Sequence, residues 1–317
     1  MGTKSNSHLS FLTWNLYLGV DLTPLMTFRV SQMPKRVTRV FRQFLATNYP
    51  SRVKSIAREI ALKKPDLIGL QEAVRWQLEI PNERTITYDF IYMLLEELNK
   101  YGLQYEIAVE NHNVSAQLPD SLGNIVHLLD RDIILIQKHK GLRIINKSAG
   151  TFKTHLTVQV ARQKLEILRG WTLTDLELDM KRFRIINTHL EEISSLQLEQ
   201  ANEIISGPSK TDLPVILLGD FNSSASGNDT PTYHFLMENG FQDVWKEVGE
   251  GPGFTYGQNP DLLNAKPNLN TRIDYILFKN GLKPVEAEII GNKQSSRTPT
   301  GLWPSDHAGV YGKMILQ

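Results

Sequence analysis

Residues 214–222 of the 317-residue chain read PVILLGDFN. The run from Pro214 to Leu218 is apolar and has the length of a buried strand. Gly219 lets the backbone approach a ligand closely, while Asp220 and Asn222 place a carboxylate and a carboxamide at the end of that strand. A bare Gly-Asp-x-Asn sequence is common in turns, so its position directly after a buried strand is what indicates a functional site.

Short apolar runs of the same kind recur along the chain and indicate further strands. The candidate strands are Leu9–Leu18, Asp66–Leu70, Tyr105–Val109, Ile133–Gln137, Arg143–Asn146, Leu165–Leu176, Arg184–Thr188, Pro214–Leu218, Arg272–Phe278, Ala287–Ile290 and Ala308–Met314. From Ile133 to Thr188 they follow one another without a helical segment, whereas parallel neighbours need crossovers of about a dozen residues. Much of the sheet structure must therefore be antiparallel. We expect an α/β (α+β) fold with two packed mixed β-sheets and helices outside them.

Three segments have the spacing of an amphipathic helix. In the first, apolar residues recur at i, i+3, i+4 and i+7 from Val53 to Ile60, and Pro65 stops the helix. The other two cover Ile193–Ile204 and Tyr88–Leu98. We find no internal repeat and no low-complexity linker, so a single domain over residues 1–317 is expected, with residues 1–8 flexible.

Three stretches interrupt this pattern and predict long loops, which in a compact domain are usually functional. They are rich in Gly, Pro, Asn or Ser and cover Asn111–Gly123, Gly249–Asn270 and Asn292–Pro304.

Composition excludes several classes of protein. With 35 Lys+Arg, 34 Asp+Glu and 41% apolar residues, the chain is not disordered, collagenous or a coiled coil. The absence of cysteine excludes a disulfide scaffold, a thiolate metal site and a thiol nucleophile. No apolar run reaches the ~20 residues of a membrane span. We expect a soluble monomer, cytoplasmic or secreted after removal of a signal, with the compartment open.

Positive charge is concentrated in one segment. From Leu22 to Arg58 there is no acidic residue but eight basic ones: Arg29, Lys35, Arg36, Arg39, Arg42, Arg52, Lys54 and Arg58. Apolar residues from Val37 to Leu45 form a helical stripe beside these charges. The favoured interpretation is a helix that packs on this stripe and exposes a solvated basic face. The alternative is a phosphate-receiving lip for nucleic acid or anionic lipid.

Polar residues also gather where the candidate strands end. In chain order these groups are Trp14-Asn15, Gln71-Glu72, Asn187-Thr188-His189-Leu190, Gly219-Asp220-Phe221-Asn222, Arg272-Ile273-Asp274-Tyr275 and Ser305-Asp306-His307. If these strands end at the same edge of the sheets, all of these residues can lie together there. Oxygen ligands without thiols suit Mg²⁺, Mn²⁺ or Ca²⁺, whereas a zinc site would need more His or Cys.

The ordered set TWN, LQE, NTHL, GDFN, RIDYI and SDH resembles the endonuclease/exonuclease/phosphatase superfamily. This superfamily includes deoxyribonuclease-like nucleases, abasic-site endonucleases, neutral sphingomyelinases and inositol polyphosphate phosphatases. The resemblance runs from Asn15 to His307. It implies a four-layer α/β sandwich and metal-dependent hydrolysis of a phosphoester substrate.

The resemblance also implies roles for individual residues. The expected metal ligands, for Mg²⁺ or alternatively Mn²⁺ or Ca²⁺, are Glu72, Asp220, Asp306 and Asn15. The expected phosphate-binding residues are Asn15, His189 and Asn222, and the expected catalytic residues are His307, Asp274, His189, Asp220 and Asn222. His307, oriented by Asp274, would take a proton from the attacking water. Asp220 is the alternative proton acceptor, and one or two metal ions could act.

His189 bears on the choice among family members. Deoxyribonuclease-like enzymes, sphingomyelinases and inositol phosphatases carry His at this position, whereas abasic-site endonucleases typically carry Tyr. An abasic-site repair enzyme is therefore not expected. A carboxylate, Asp130 or Asp132, is the expected partner of His189.

The substrate depends on the loops, which match no subfamily closely. We expect a nuclease or general phosphodiesterase. The alternatives are a phospholipid (sphingomyelinase-like) or inositol-phosphate hydrolase on the same fold, and a catalytically inactive binding module. Trp303, in the loop before Ser305, is either a contact for a base or a lipid or an anchor in the core.

Overall fold

Two mixed β-sheets pack face to face in the computed structural model, which describes residues 7–26, 30–138, 141–160 and 163–317. The strands are β1 (Ser7–Asn15), β2 (Leu67–Gln71), β3 (Arg75–Ile80), β4 (Arg84–Asp89), β5 (Tyr105–Pro119), β6 (Ile125–Gln137), β7 (Arg143–Thr151), β8 (Leu156–Val160), β9 (Gln163–Ile167), β10 (Gly170–Leu178), β11 (Lys181–His189), β12 (Val215–Asp220), β13 (Gln242–Asp243), β14 (Asp274–Lys279), β15 (Leu282–Ile290) and β16 (Gly309–Leu316). The α-helices are α1 (Thr23–Met26), α2 (Met33–Ala46), α3 (Tyr49–Lys63), α4 (Phe90–Lys100), α5 (Ser194–Ser206), α6 (Thr232–Glu238) and α7 (Val244–Val248). This architecture confirms the expected sandwich.

Each sheet combines one parallel pair of strands with antiparallel neighbours. The first sheet has the order β15-β16-β1-β2-β6-β3-β4, with β5 also paired to β6, and its parallel pair is β1–β2. The second has the order β13-β14-β12-β11-β10-β7, and its parallel pair is β11–β12. A separate hairpin joins β8 to β9. In both sheets, therefore, two neighbouring strands end at the same edge.

The sheets meet in an apolar layer. Phe11, Leu67 and Ile134 of the first sheet and Ile185 and Leu218 of the second are buried in one cluster. The contact is close enough that a Cβ built at Gly69 would collide with the Leu218 side chain. Helices α2, α3 and α4 pack on the outer face of the first sheet, and α5 and α6 on that of the second.

The predicted helices are all present. The Val53–Ile60 stripe lies in α3, which ends at Lys63 before Pro65, and the other two correspond to α5 and α4. In the part of the chain that the structure describes, no helix is long and apolar enough to cross a membrane. Of the N-terminal segment 1–8, residues 1–6 lie outside the described residues, while Ser7 and His8 begin β1 and pair with β16.

Two boundaries predicted from the sequence are wrong. The loop expected at Asn111–Gly123 is mostly strand, because β5 continues to Pro119 and pairs with β6. Only the tip turns, where Asp120 Oδ1 accepts hydrogen bonds from the N–H groups of Leu122 and Asn124. The strand expected at Leu165–Leu176 is divided between β9 and β10, which belong to different sheets. Strands β3, β4, β8 and β13 were not predicted.

Candidate active site

Strand pairing in the second sheet places three of the expected site residues side by side. His189, the last residue of β11, is the register partner of Asp220, the last residue of β12. Asp220 in turn pairs with Asp274, the first residue of the antiparallel strand β14. All three side chains are almost fully buried. The row His189–Asp220–Asp274 therefore follows from sheet topology alone.

The first sheet contributes the opposite wall. Asn15 ends β1 and pairs with Gln71, the last residue of β2, and Glu72 follows immediately. The Asn15 Nδ2 group donates to Asp220 Oδ2 at 3.0 Å and lies 3.2 Å from Glu72 Oε1. One carboxamide thus connects carboxylates from the two sheets.

Glu72 is held in an uncommon conformation. Its φ is 50°, in the left-handed region, where a residue without a special requirement rarely lies. Its Oε2 accepts a 2.6 Å hydrogen bond from the Leu18 N–H, which fixes the carboxylate. Burial, and then the nearby carboxylates of Asp306 and Asp130, raise the pKa of Glu72 to about 7.

The turn after β12 aims Asp220 and Asn222 at the same space. A Cβ at Gly219 (φ 155°) would collide with the Thr188 carbonyl oxygen, so the turn requires glycine. Asp220 Oδ1 accepts from the Asn222 N–H at 3.0 Å, and Asn222 Nδ2 donates to the Leu190 carbonyl at 2.9 Å. Burial, and then the neighbouring Asp274, raise the pKa of Asp220 to about 7.

His307 forms the expected pair with Asp274. Its Nδ1 lies 2.9 Å from Asp274 Oδ2, and its Nε2 lies 3.7 Å from Asp220 Oδ2 and 4.0 Å from Asp306 Oδ1. Burial alone would lower the pKa of His307, but the carboxylates of Asp274, Asp220 and Asp306 outweigh it and raise that pKa well above its usual value. The imidazole is thus favoured in its protonated form.

The partner of His189 differs from the expectation. Neither Asp130 nor Asp132 bonds to the ring; instead Arg169 Nη1 donates to His189 Nδ1 at 2.9 Å. Asp130 lies behind the arginine, with its Oδ2 3.8 Å from Arg169 Nη1. Burial, Arg169 and His307 lower the pKa of His189 well below its usual value. Since Nδ1 accepts from a guanidinium, the neutral ring carries its proton on Nε2, which faces Asp220 and Asn222.

Two contacts link the expected metal ligands: the Asp306 carboxylate raises the pKa of Glu72, and Glu72 and Asp220 share the Asn15 Nδ2 donor. Among the described residues, no Lys or Arg forms an ion pair with Glu72, Asp220 or Asp306. Burial is the first cause that raises the pKa of each of these three carboxyl groups. Such carboxylates suit a divalent cation, which would supply the missing positive charge. Asp220, Asp274 and His307 also bring ligand atoms within 4.8 Å of one another. In that trio, however, the Asp274–His307 hydrogen bond already explains the closeness.

Two motif residues and Trp303 have structural positions behind the site. Gln71 Nε2 donates to Asn187 Oδ1 at 2.6 Å, and Asn187 Nδ2 donates to the Leu70 carbonyl, so this buried pair links the sheets. Trp303 is fully buried and its Nε1 donates to the Asn264 carbonyl. Trp303 is therefore the core anchor of the two alternatives, not a contact for a base or a lipid.

Sequence reasoning missed three residues that shape the site. Arg169 has no motif around it, and nothing in the sequence indicates its contact with His189. The centroids of the Tyr256 and His307 rings lie 4.8 Å apart. Tyr256 belongs to the loop predicted at Gly249–Asn270, and the sequence of that loop does not indicate this contact.

Arg52 is the third, and it was detectable as a charged residue on the apolar stripe of α3. It is fully buried and donates to the carbonyls of Leu16, Tyr17, Thr47 and Pro304. These carbonyls lie in the segments that follow β1, precede α3 and precede Ser305. Arg52 thereby ties together the loops around the site.

Comparison with known proteins agrees with this arrangement. The model of the Endonuclease/Exonuclease/phosphatase family matches residues 12–307. None of the curated proteins compared with the chain matches it significantly.

Several solved structures share the fold. An endonuclease/exonuclease/phosphatase family protein from Leptotrichia buccalis has a TM-score of 0.60 at 20% identity, covering 96% of this chain and 99% of its own. D. rerio TDP2, solved with a single-strand DNA product, has a TM-score of 0.59 at 17% identity, covering 98% and 99%. A mannosyl-6-phosphatase from Bacteroides thetaiotaomicron has a TM-score of 0.57 at 15% identity, covering 97% and 99%. These identities establish a common fold only. The match of the family model over residues 12–307 shows that the chain belongs to the endonuclease/exonuclease/phosphatase family.

Proposed function

We propose that the chain is a divalent-metal-dependent phosphodiesterase that cleaves nucleic acid by attack of water on phosphorus. One observation carries the proposal: two sheets bring Glu72, Asp220, Asn222, His189 and the Asp274–His307 pair to one edge. The fold likeness to D. rerio TDP2, whose structure contains a single-strand DNA product, supports nucleic acid as the substrate class.

The metal would be held by Glu72, Asp220 and Asp306. Asn15, expected from the sequence to be a fourth ligand, instead donates from Nδ2 to Glu72 and Asp220, and its Oδ1 accepts from the Tyr17 N–H, so it would hold the ligands in place. When bound there, the cation would supply positive charge to stabilise the negative charge that develops on the phosphoryl group and the leaving oxygen. Mg²⁺ is the expected ion because the ligands are carboxylate oxygens, with Mn²⁺ as a substitute.

Asp220 and His307 would both take part in proton transfer. Their closest atoms are 3.7 Å apart, so the two groups titrate as a pair. The Asp274 carboxylate, 2.9 Å from Nδ1, favours the proton on His307, and the Asp220 carboxylate would then accept the proton of the attacking water. The protonated ring of His307, fixed by Asp274, would then donate from Nε2 to a phosphoryl oxygen.

Two further donors would bind the other phosphoryl oxygens. His189 offers Nε2–H, because Arg169 occupies Nδ1, and Asn222 offers its carboxamide 3.2 Å away. Because both are fixed before substrate arrives, they cost little reorganisation when charge develops in the transition state.

A phosphomonoester is the second candidate substrate. The likeness to the B. thetaiotaomicron mannosyl-6-phosphatase favours it, and inositol phosphates belong to this class. The buried position of Trp303 removes the aromatic residue that would have favoured a phospholipid.

An assay panel tests the proposal. The purified protein is incubated with Mg²⁺ or Mn²⁺ and with plasmid DNA, single-stranded RNA, bis-p-nitrophenyl phosphate, sphingomyelin or inositol phosphates. Cleavage of nucleic acid and of the diester is expected. Asp220→Asn should lower turnover by about two orders of magnitude or more, whereas Asp212→Asn, which changes an exposed carboxylate before β12, should not. Cleavage of monoesters or lipid alone would contradict the proposal.

A further inference from the structure

Helix α2 has no part in the proposed catalysis, yet its two faces differ sharply. Val37, Val40, Phe41 and Phe44 are buried in the core next to the first sheet. The opposite face, which we call the α2 basic face, consists of the exposed Lys35, Arg39 and Arg42 with the half-exposed Arg36.

Three of the four basic residues of this face form no ion pair among the described residues. The sequence from Leu22 to Arg58 contains no acidic residue. In the ranges that the structure describes, none of Lys35, Arg39 and Arg42 takes part in an ion pair. The whole chain carries a net charge of only +1, so the rest of the chain, without these basic residues, has a negative net charge.

A small cavity lies at the N-terminal half of the face. Its volume is about 290 Å³, and its lining is Ser31, Gln32, Lys35, Arg36 and Arg39. The lining therefore combines cationic groups with hydroxyl and amide donors and contains no carboxylate. Such a set suits a phosphate group, which is anionic and rich in acceptors.

The helix is held in a fixed position relative to the catalytic carboxylates. The Phe44 ring stacks on the Trp76 ring with centroids 5.0 Å apart. Trp76 Nε1 donates to the Leu18 carbonyl at 2.9 Å, and the Leu18 N–H donates to Glu72 Oε2. A single chain of contacts thus joins α2 to Glu72.

We propose that the α2 basic face binds the backbone phosphates of a polynucleotide, outside the phosphodiester that is cleaved. This inference rests on the proposed function, since it assumes a nucleic-acid substrate. Lys35, Arg39 and Arg42 are spaced i, i+4 and i+7, so they span about 10 Å along the helix axis, which is the scale of a few nucleotides.

A lipid surface fits this helix less well. A helix that binds a membrane inserts its apolar face between lipids. Helix α2 buries that face in the protein core, and only Leu45, 43% exposed, and the small Ala46 offer apolar surface at its C-terminal end. What remains for a partner is charge and hydrogen-bonding capacity, which phosphates of nucleic acid satisfy.

Binding can be measured separately from catalysis. The probe is a fluorescently labelled oligonucleotide of about 20 nucleotides, titrated by anisotropy in EDTA at several salt concentrations, so that no metal-dependent cleavage occurs. The test variant is Lys35→Gln/Arg39→Gln/Arg42→Gln. The control is Lys147→Gln/Lys210→Gln/Lys283→Gln, which removes the same charge from exposed positions elsewhere.

The test variant should bind at least about tenfold more weakly and should lose about two units of the slope of log K against log salt, whereas the control should not. Its turnover of the oligonucleotide with Mg²⁺ should fall about tenfold relative to its turnover of bis-p-nitrophenyl phosphate. Three results would overturn the proposal: no binding by the wild type, equal losses in both variants, or a loss of binding to phosphatidylserine vesicles without a loss of oligonucleotide binding. If the wild type binds through α2 but cleaves no nucleic acid, the basic face stands and the proposed function fails.

Discussion

The side chain of Asn15 lies 3.0 Å from Asp220, although 205 residues separate the two in sequence and each ends a strand of a different sheet. The same carboxamide approaches Glu72. Asn15 thus donates to two carboxylates that come from different sheets and fixes their relative position.

Replacing Asn15 with Ala should therefore damage the site more than the fold. The two carboxylates lose a common donor, so we expect kcat/KM for the diester to fall by about two orders of magnitude. Steady-state kinetics at saturating Mg²⁺ measures this. The exposed Asn99→Ala on α4 is the matched control. Equal kinetics for the two variants would show that Asn15 has no such role.

Arg169 provides a second test, because it lies behind His189 and is not expected to touch substrate. Arg169→Met should lower kcat/KM by about ten- to a hundredfold, and Arg169→Lys should restore part of it. In the wild type, ¹⁵N NMR of His189 should show the Nε2–H form of a neutral ring, and the Met variant should lose that preference. The exposed Arg182→Met is the control. Unchanged activity and an unchanged NMR signature in Arg169→Met would contradict the assignment.

Replacing Arg52 should lower the stability of the fold. Its guanidinium donates to four backbone carbonyls inside the protein, so Arg52→Met leaves these acceptors without a donor. We expect the free energy of unfolding to fall by about 3 kcal/mol or more. Chemical denaturation measures the change, with the exposed Lys54→Met of the same helix as control. A loss no larger than that of the control would show that the four hydrogen bonds contribute little.

Proton and metal binding should compete at the site. Glu72 and Asp220 have pKa values of about 7 in the folded protein, above their usual values of 4.5 and 3.8. Between those limits the metal-free folded state binds more protons than the unfolded state, so these two groups lower stability as pH rises through the window. A bound cation reverses this, because it favours the deprotonated carboxylates.

The rise in Tm on adding Mg²⁺ should accordingly be larger at about pH 8 than at about pH 6. Thermal unfolding at both pH values measures it. In Glu72→Gln the Mg²⁺ effect should be smaller and less dependent on pH. An equal Mg²⁺ effect at both pH values in the wild type would contradict proton–metal competition.

Much of the fold and most of the site residues could be predicted from the sequence. Buried strands such as Val215–Asp220 are apolar and short, and the polar residues that follow them must lie at a sheet edge. Which strands become neighbours was not predictable, yet it is this pairing that sets His189 beside Asp220 and Asp220 beside Asp274. The contact of Arg169 with His189 depends on the pairing of β10 with β11, which was equally unpredictable.

The error at Asn111–Gly123 has a different cause. Its Asn and Ser residues are typical of loops, but most of them lie in strand β5, which pairs with β6 as far as the turn that follows Pro119. Asn111 and Asn113 use their side chains in a buried hydrogen-bond network with Asp130 and Asp132, so polar composition did not mean a loop. That the chain is one domain and a monomer stays a prediction.

The Mg²⁺ dependence of diester hydrolysis tests the proposed site most directly. Wild type, Glu72→Gln and the exposed Glu83→Gln are each titrated with Mg²⁺ after EDTA treatment, with bis-p-nitrophenyl phosphate as substrate. We expect no hydrolysis in EDTA, saturable activation of the wild type and the control, and at least a tenfold higher Mg²⁺ requirement or a comparable loss of turnover in Glu72→Gln. Hydrolysis that persists in EDTA, or a Glu72→Gln titration identical to that of the wild type, would contradict a metal-dependent centre built on Glu72.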